Sequence, residues 1–472
     1  MPIADNPYDA VAYPSLIIRH GRPGRLATIA HLHGLSPPPI ETARMLEVGG
    51  GDGLNAIALA AAYPRAEFVN IDLAAEPIMR GRAWTQAAGL ANVRHEIIDI
   101  LDAPAELDGT FDYIVAHGIY AWVPEAVRAG LMALFGRLLS ADGVAYVSYN
   151  ALPGGHTRIA LREMILHHVG AIPDPRARIA ATRTLLTGFV APQPRDEPVT
   201  AAMRKEAEAT LAQSDGQLFH DQLGPVYAPH SLSAVVEAAA RHGLRYLGEA
   251  SDGGQDQGFV DSARGDITDA ALVRALQTYD YRHGRYFRKS LFVRSDRPVR
   301  RVIDGTRAPG LWASSDATDM GGGRIRIGRS ERGVRDPRLR AIVQRLIALR
   351  PERVPVTTLS DDPQLLTDLC DLAVAGYVDL HTAPAPFAVA PGPRPRASPL
   401  ARMQVGAGER RVVTLDHRRV EIDEAVAQAL LLSDGTVDRD ELERRWAGLH
   451  GAARTPLADA LDRAAKRALL LA

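Results

Sequence analysis

The sequence predicts an α/β chain: a Rossmann-like core of parallel strands with a helical insertion, followed by winged-helix-like α+β units. Three observations carry this. Between residues 43 and 150, short apolar runs alternate with helical spacing, the rhythm of βαβ units and a parallel sheet. From Arg158 to about Leu223 the spacing is helical throughout, broken by prolines such as Pro173 and Pro175. Beyond Asp336, two helical stretches lead into a strand, the order of a winged helix. With 472 residues the chain has room for several such units, since a domain takes roughly 100 to 200.

The N-terminal segment, residues 1–40, ends in Ser36-Pro37-Pro38-Pro39, a stiff joint to the core. In the core, residues 41–157, strands are expected at Ala43 to Val48, Glu67 to Asp72, Val93 to Ile98, Phe111 to Ala116 and Gly143 to Tyr149. Helices fall between them, at Asn55 to Tyr63, Glu76 to Ala88 and Val123 to Leu139. The helical insertion occupies 158–229. At 230–296, Ser231 caps a helix, His242-Gly243 stops it, and strands at Leu244 to Leu247 and Ser290 to Val293 complete the first sheet.

In 297–382, Gly321-Gly322-Gly323 precedes Arg324-Ile325-Arg326-Ile327, whose alternation reads as an edge strand with a solvated arginine face. Helices at Arg338 to Leu349 and Pro363 to Ala375 and a strand at Tyr377 to Leu380 make the first winged-helix-like unit. The Pro-rich run at 383–399 is expected as a linker. A second unit, 400–472, comes after it, with a hairpin around His417 and helices at Glu424 to Leu432, Arg439 to Leu449 and Leu457 to Ala472.

Composition narrows the function. Hydrophobic residues make up 46% and charged residues 24%, which is ordinary globular usage and excludes a disordered or fibrous chain. All but three of the 55 basic residues are arginine, and 56 acidic residues balance them to a net charge of -1. Nothing in that balance draws the chain to nucleic acid. Neither 355–365 nor 363–375, where a winged helix would meet DNA, carries a Lys or Arg. The lone Cys370 excludes an internal disulfide. Met1 to Asn6 lack the pattern of a secretion signal, and no apolar run nears the ~18 residues of a spanning helix, so a cytoplasmic chain free of membrane is expected. His31-Leu32-His33 has no third partner at a metal-ligand spacing, and no Ser-His-Asp elbow is present.

The chemistry concentrates in Glu47-Val48-Gly49-Gly50-Gly51-Asp52-Gly53, between the first strand and the first helix of the core. Glycines there let backbone N–H groups and a helix N-terminus approach a ligand. A dinucleotide fingerprint would need glycine where Leu54 stands, so that reading fails. Asp72 ends the second strand 19 residues past Gly53, the place of an acid that accepts ribose hydroxyls. Asp99 closes the third strand, where an adenine edge would lie. Gly-x-Gly-x-Gly behind an acidic residue, with these two acids in order, resembles the class I S-adenosylmethionine (SAM) methyltransferases.

The resemblance is closer still in Phe111 to Pro124, in Val144 to Asn150, and in Pro153-Gly154 with His156. Tyr8, Tyr13, Arg25-Leu26-Ala27, His242-Gly243-Leu244, Tyr246 to Ala250, Arg285 and Phe287-Arg288 agree with it. Over about residues 5 to 295 the chain resembles the bacterial methyltransferases with a regulatory domain, a family that includes rickettsial protein lysine methyltransferases acting on outer-membrane proteins. The resemblance implies SAM as cofactor, held by Glu47, Gly49, Gly51, Gly53, Asp72, Leu73, Asp99, Ile100, His117 and Tyr13. It implies an acceptor site at Tyr120, Trp122, Tyr149, Asn150 and His156, and a protein or peptide acceptor offering a lysine amine. In one departure, Gly155 stands where the family pattern Tyr-Asn-x-x-Pro-Gly-Trp-His has tryptophan, which removes a wall of the acceptor pocket. A natural-product or peptide methyltransferase is the alternative within this chemistry, and a SAM-binding module without turnover the alternative outside it. The sequence leaves the oligomeric state and the acceptor's identity open.

Overall fold

A computed structural model describes residues 7–103, 107, 109–191, 197–250, 267–449 and 455–472. Its centre is a seven-stranded sheet formed by β1 (Arg44–Val48), β2 (Glu67–Asp72), β3 (Val93–Ile97), β4 (Phe111–Ala116), β5 (Leu139–Asn150), β6 (Leu244–Glu249) and β7 (Phe287–Arg294). The order is β3-β2-β1-β4-β5-β7-β6, with β7 antiparallel to both its neighbours and the other described pairings parallel. As the sequence predicts, the last two strands return to this sheet from beyond the insertion. β1 and β4 run side by side, so the strand order reverses between them and opens a crevice at their carboxyl ends, where ligands bind in open α/β sheets.

Both faces of the sheet are covered, which is why its strands are apolar almost throughout rather than alternating. Leu46, Val48, Ile114 and Ala116 pack on one side with α4 (Glu125–Leu138). Met45, Phe68, Tyr113 and Val115 pack on the other with α1 (Pro23–Leu32) and α2 (Leu54–Ala62), and α3 (Ala75–Ala87) joins β2 to β3. Every residue of α2 is buried, Asn55 included. Full burial of each Leu or Ile there is worth about 1.5–3 kcal/mol. The described helices of the insertion, α5 (Gly155–Val169), α6 (Pro175–Phe189), α7 (Pro198–Leu211) and α8 (Asp215–Leu223), enclose a small core of their own around Leu161, Ile165, Leu186 and Leu218. Their starts are set by side chains, Asp174 accepting from Ala177 N and Ser214 with Gln217 forming a capping box.

The first C-terminal unit builds the sheet β9-β8-β10, from β8 (Trp312–Ser314), β9 (Val354–Pro355) and β10 (Asp379–His381), against helices Pro337–Ala348 and Pro363–Val374. Arg324–Ile327 departs from expectation: it is the middle of a three-stranded sheet, flanked by Thr318–Gly321 and Ser330–Gly333, because the glycines supply two tight turns. His31 and His33 serve packing between units, bonding the carbonyls of Arg307 (2.9 Å) and Arg300 (2.7 Å). A cavity of about 120 Å³ lies between α1, β6 and this unit, and its polar lining groups His33 and Arg301 already bond backbone carbonyls.

The run 383–399 is no free linker. Phe387 is buried and bridges Leu471, Arg396 bridges Asp434 and Ala397 bridges Leu470, so the run is a wall of the last unit. The same bridges end the final helix early, at Lys466, because residues 470 and 471 must return as extended chain. Among the described residues no helix is long and apolar enough to cross a membrane.

Candidate active site

The loop after β1 enters α2 with positive φ at Gly49, Gly51 and Gly53. Gly51 sits at φ +57°, and a Cβ built there would meet no protein atom within 4 Å, so its backbone faces open space. At Gly49 the reason for glycine is the reverse: a Cβ would come within 2.4 Å of Ile119 in the loop after β4. Gly53 is crowded in the same way by His95, at 2.5 Å. One glycine leaves room for a ligand and two let the scaffold close behind it.

Asp72 lies directly across from this loop. Its Oδ2 accepts the Gly51 N–H at 2.8 Å and its Oδ1 the Ala74 N–H at 2.9 Å. Burial pushes its carboxyl above the usual range, against the pull of those N–H donors. Leu73 beside it is 38% exposed, an apolar surface for a ring. Asp99 accepts the Leu101 N–H at 2.9 Å and so holds the turn carrying the half-buried Ile100. His117, after β4, is held by the Tyr146 hydroxyl (2.9 Å) and Ser148 Oγ (3.0 Å), and burial lowers its imidazole to about 4, so it is neutral. Glu47 is buried, and its Oε1 accepts from Asn55 Nδ2 at 3.0 Å. Its Oε2 meets no donor among the described residues, and burial raises the carboxyl to about 8.

These residues fit SAM. The open cradle at Gly51, the Asp72 carboxylate and the apolar Leu73 and Ile100 are the groups a nucleoside with a charged amino-acid tail requires, and Asp72 would receive the ribose hydroxyls. Tyr13 comes from the N-terminal segment, which crosses this end of the sheet. Tyr8 stacks on His220 at 3.9 Å, Tyr13 meets the same ring edge-on at 5.8 Å, and Ser15 Oγ donates to Asp52 at 2.5 Å. No cluster of three or more His, Cys, Asp or Glu able to hold a metal occurs among the described residues.

The expected acceptor residues are not gathered in one place. Tyr120 and Tyr149 meet at 6.0 Å inside the core, 4% and 1% exposed, and the Tyr149 hydroxyl lies 3.1 Å from Ser290 Oγ. Asn150 is buried, and its carbonyl accepts the His230 N–H at 3.0 Å. None of the three is exposed: β5 carries Tyr149 and Asn150 into the packed sheet, and Tyr120, in the loop after β4, packs onto Tyr149. His156 is exposed on the first turn of α5, outside the enclosed group. Only Trp122 stands on the wall, half-buried, with its ring 4.8 Å from Tyr227.

Tyr227 escapes sequence reasoning, as do most of its neighbours. Residues 227–230 are strapped across the sheet end by Ala228 N to Ala121 O (2.8 Å) and Leu152 N to His230 O (3.0 Å). A Cβ on Gly155 would fall 2.4 Å from Pro229 Cβ and 3.3 Å from the Tyr227 hydroxyl. The loss of tryptophan at 155 therefore does not open the wall, since Tyr227 and Pro229 fill that space. Arg158 lies 5.0 Å over the Tyr286 ring and pairs with Glu206 at 2.7 Å, and Arg162 lies 5.4 Å over Tyr227. Asp221, the hydrogen-bond partner of Tyr13, is raised to about 6 by burial against the pull of both arginines. The arginines of α5 are the one sequence signal that could have pointed to this wall.

Three family models match: "Methyltransferase domain" over residues 45–143, "Predicted methyltransferase regulatory domain" over 214–294 and "PKMT, C-terminal winged helix domain" over 393–469. An uncharacterised Rickettsia prowazekii protein, RP789, is 34% identical over 310 residues, 64% of this chain and 55% of that protein. A second from the same organism, RP028, is 33% identical over 242 residues, 51% of this chain and 96% of that protein. The chain belongs to the bacterial class I SAM-dependent methyltransferases with a regulatory domain. This methyltransferase also shares its fold with PKMT2 from Rickettsia typhi, at TM-score 0.76 and 23% identity over 98% of this chain and 100% of that one. The same protein solved in complex with AdoHcy gives the same score at 22% identity. That likeness in fold covers nearly the whole methyltransferase, its C-terminal units included, where the two curated relatives cover 64% and 51% of it.

Proposed function

We propose that this methyltransferase modifies the ε-amine of lysine in a protein or peptide, in the cytoplasm. The observation that carries this reading is the wall's composition. The rings of Trp122, Tyr227 and Tyr286 stand among the carboxylates of Glu206 and Asp221, and the set already holds the long cationic side chains of Arg158 and Arg162. Ring faces beside a cation stabilise it by about 0.5–2 kcal/mol. The kinship of the C-terminal unit to the PKMT winged helix domain supports a protein as acceptor.

SAM, when bound, supplies the methyl group in a single displacement by the amine. The chain's own residues then have two tasks. Trp122 and Tyr227 hold the acceptor's aliphatic stem in line, the positioning that makes up most of catalysis here. A free lysine, with a pKa near ~10.4, attacks only as the neutral amine, so its proton must first pass to water or to a neighbouring carboxylate such as Asp221. Incubation with labelled SAM and a lysate fractionated by size tests the reading. Label in the protein fractions supports it, and label confined to small molecules, or binding without transfer, contradicts it.

A further inference from the structure

The last unit ends its two-stranded hairpin, Arg411–Val413 and Arg419–Glu421, in a turn closed by His417 N to Thr414 O at 3.0 Å. His417 at its tip is 3% exposed and left-handed, at φ +66°. Few residues other than glycine take such a conformation, and histidine, like asparagine and aspartate, is one of those that do. Its side chain leaves its own unit altogether. His417 Nε2 lies 2.7 Å from Asn55 Oδ1 in α2, the helix that opens at the cofactor loop. The same oxygen accepts the backbone N–H of Ile18 at 2.8 Å, which identifies it as the acceptor and His417 Nε2 as a donor. Asn55 Nδ2 in turn holds Glu47, at the head of the cofactor motif.

Two further bonds take the same route. Arg419 Nη2 donates to the Ser15 carbonyl at 2.9 Å, and Ser15 Oγ reaches Asp52 inside the cofactor loop. Arg22 Nη1 donates to the Asp416 carbonyl at 3.1 Å. The hairpin thus grips the N-terminal segment on both sides of Ile18 and, through Asn55, the floor beneath the glycine loop.

We infer that His417 is a positioning residue for SAM binding, through which the C-terminal unit completes the cofactor site 362 residues away in sequence. The inference rests on the reading of the glycine loop as the cofactor site and adds a role for the winged-helix unit. Burial keeps the imidazole neutral, with one ring nitrogen protonated to donate. The test uses the full chain, measuring SAM affinity by calorimetry and kcat and KM with an acceptor fraction. His417→Ala is expected to weaken SAM binding about tenfold, as for one buried hydrogen bond, with kcat at saturating SAM changed less than about twofold. His417→Gln, which restores a donor at similar reach, should return the affinity to within about threefold of wild type. Arg419→Ala leaves the buried turn intact and serves if His417→Ala does not fold; it should weaken binding about threefold. Unchanged SAM affinity in folded His417→Ala or, failing that, Arg419→Ala overturns the inference, as does a Gln variant no better than Ala. Failure of the wild type itself to bind SAM would instead refute the cofactor reading.

Discussion

The glycine loop and the aromatic wall stand at the same end of one sheet but are built by opposite means. The loop is a single stretch of seven residues whose backbone does the work, with Asp72 as its principal side-chain partner. The wall is made of side chains brought from four separate places: Trp122 after β4, Arg158 and Arg162 on α5, Glu206 to Tyr227 in the insertion, and Tyr286 before β7. A site made of backbone tolerates few changes, because its geometry has no substitute. A site made of several rings loses function gradually as each is removed.

That contrast orders the expected effects. Gly51→Val should abolish detectable SAM binding in calorimetry while the protein still folds, since valine cannot take φ +57° without strain and would fill the cradle. Asp72→Ala should weaken SAM by about 1–3 kcal/mol, the range for a lost hydrogen bond to a charged group. If Asp72→Ala binds as tightly as wild type, the loop alone makes the site and the contrast between the regions is sharper still. Trp122→Ala and Tyr227→Ala should each lower single-turnover rates by about 2- to 30-fold, the kinetic equivalent of ~0.5–2 kcal/mol of cation–π attraction, with SAM affinity little changed. The exposed His156→Ala is the control on the same side of the sheet and should alter neither. Equal losses of SAM affinity in the wall and loop variants would show that the two regions are one site.

The remaining effect is on stability rather than on binding or turnover. The Glu47 carboxyl is raised to about 8 by burial, so the folded state keeps a proton that the unfolded state releases near its ordinary pKa. The folded protein therefore binds more protons between about pH 4 and 8, and stability from this group falls as pH rises through that window. Histidines that burial lowers to about 4, such as His33, His95, His117 and His230, act in the opposite sense below about pH 6.5, so the readout is the difference: the melting temperature of the wild type relative to Glu47→Gln should fall from pH 5 to 8. A difference that stays constant over this range would mean that Glu47 is ionised in the fold.

The same contrast explains what the sequence can disclose. The loop, Asp72 and the sheet order are legible because each depends on neighbours within about one βαβ unit and on periodicities of apolar residues. Tyr120 and Tyr149 are legible as rings near a strand end, but only packing decides whether such a ring faces a pocket or the core. Nothing local marks Tyr227, since its position depends on the strap of residues 227–230 across the sheet end. Gly155 misleads for the same reason: its meaning lies in Pro229 and Tyr227, more than seventy residues later. The C-terminal run 383–399 reads as a linker because proline content reports stiffness and not contact.

The central claim is that the wall presents a lysine amine to SAM. Its most direct test is to locate the transferred methyl group: the purified protein, isotopically labelled SAM and the protein fraction that takes up label, with mass spectrometry of the modified peptides. Methyl groups on lysine Nζ, lost together with the label in Tyr227→Ala, are the result predicted. Label on a carboxyl, thiol or small molecule, or on lysine at rates indifferent to Tyr227 and Trp122, would contradict it.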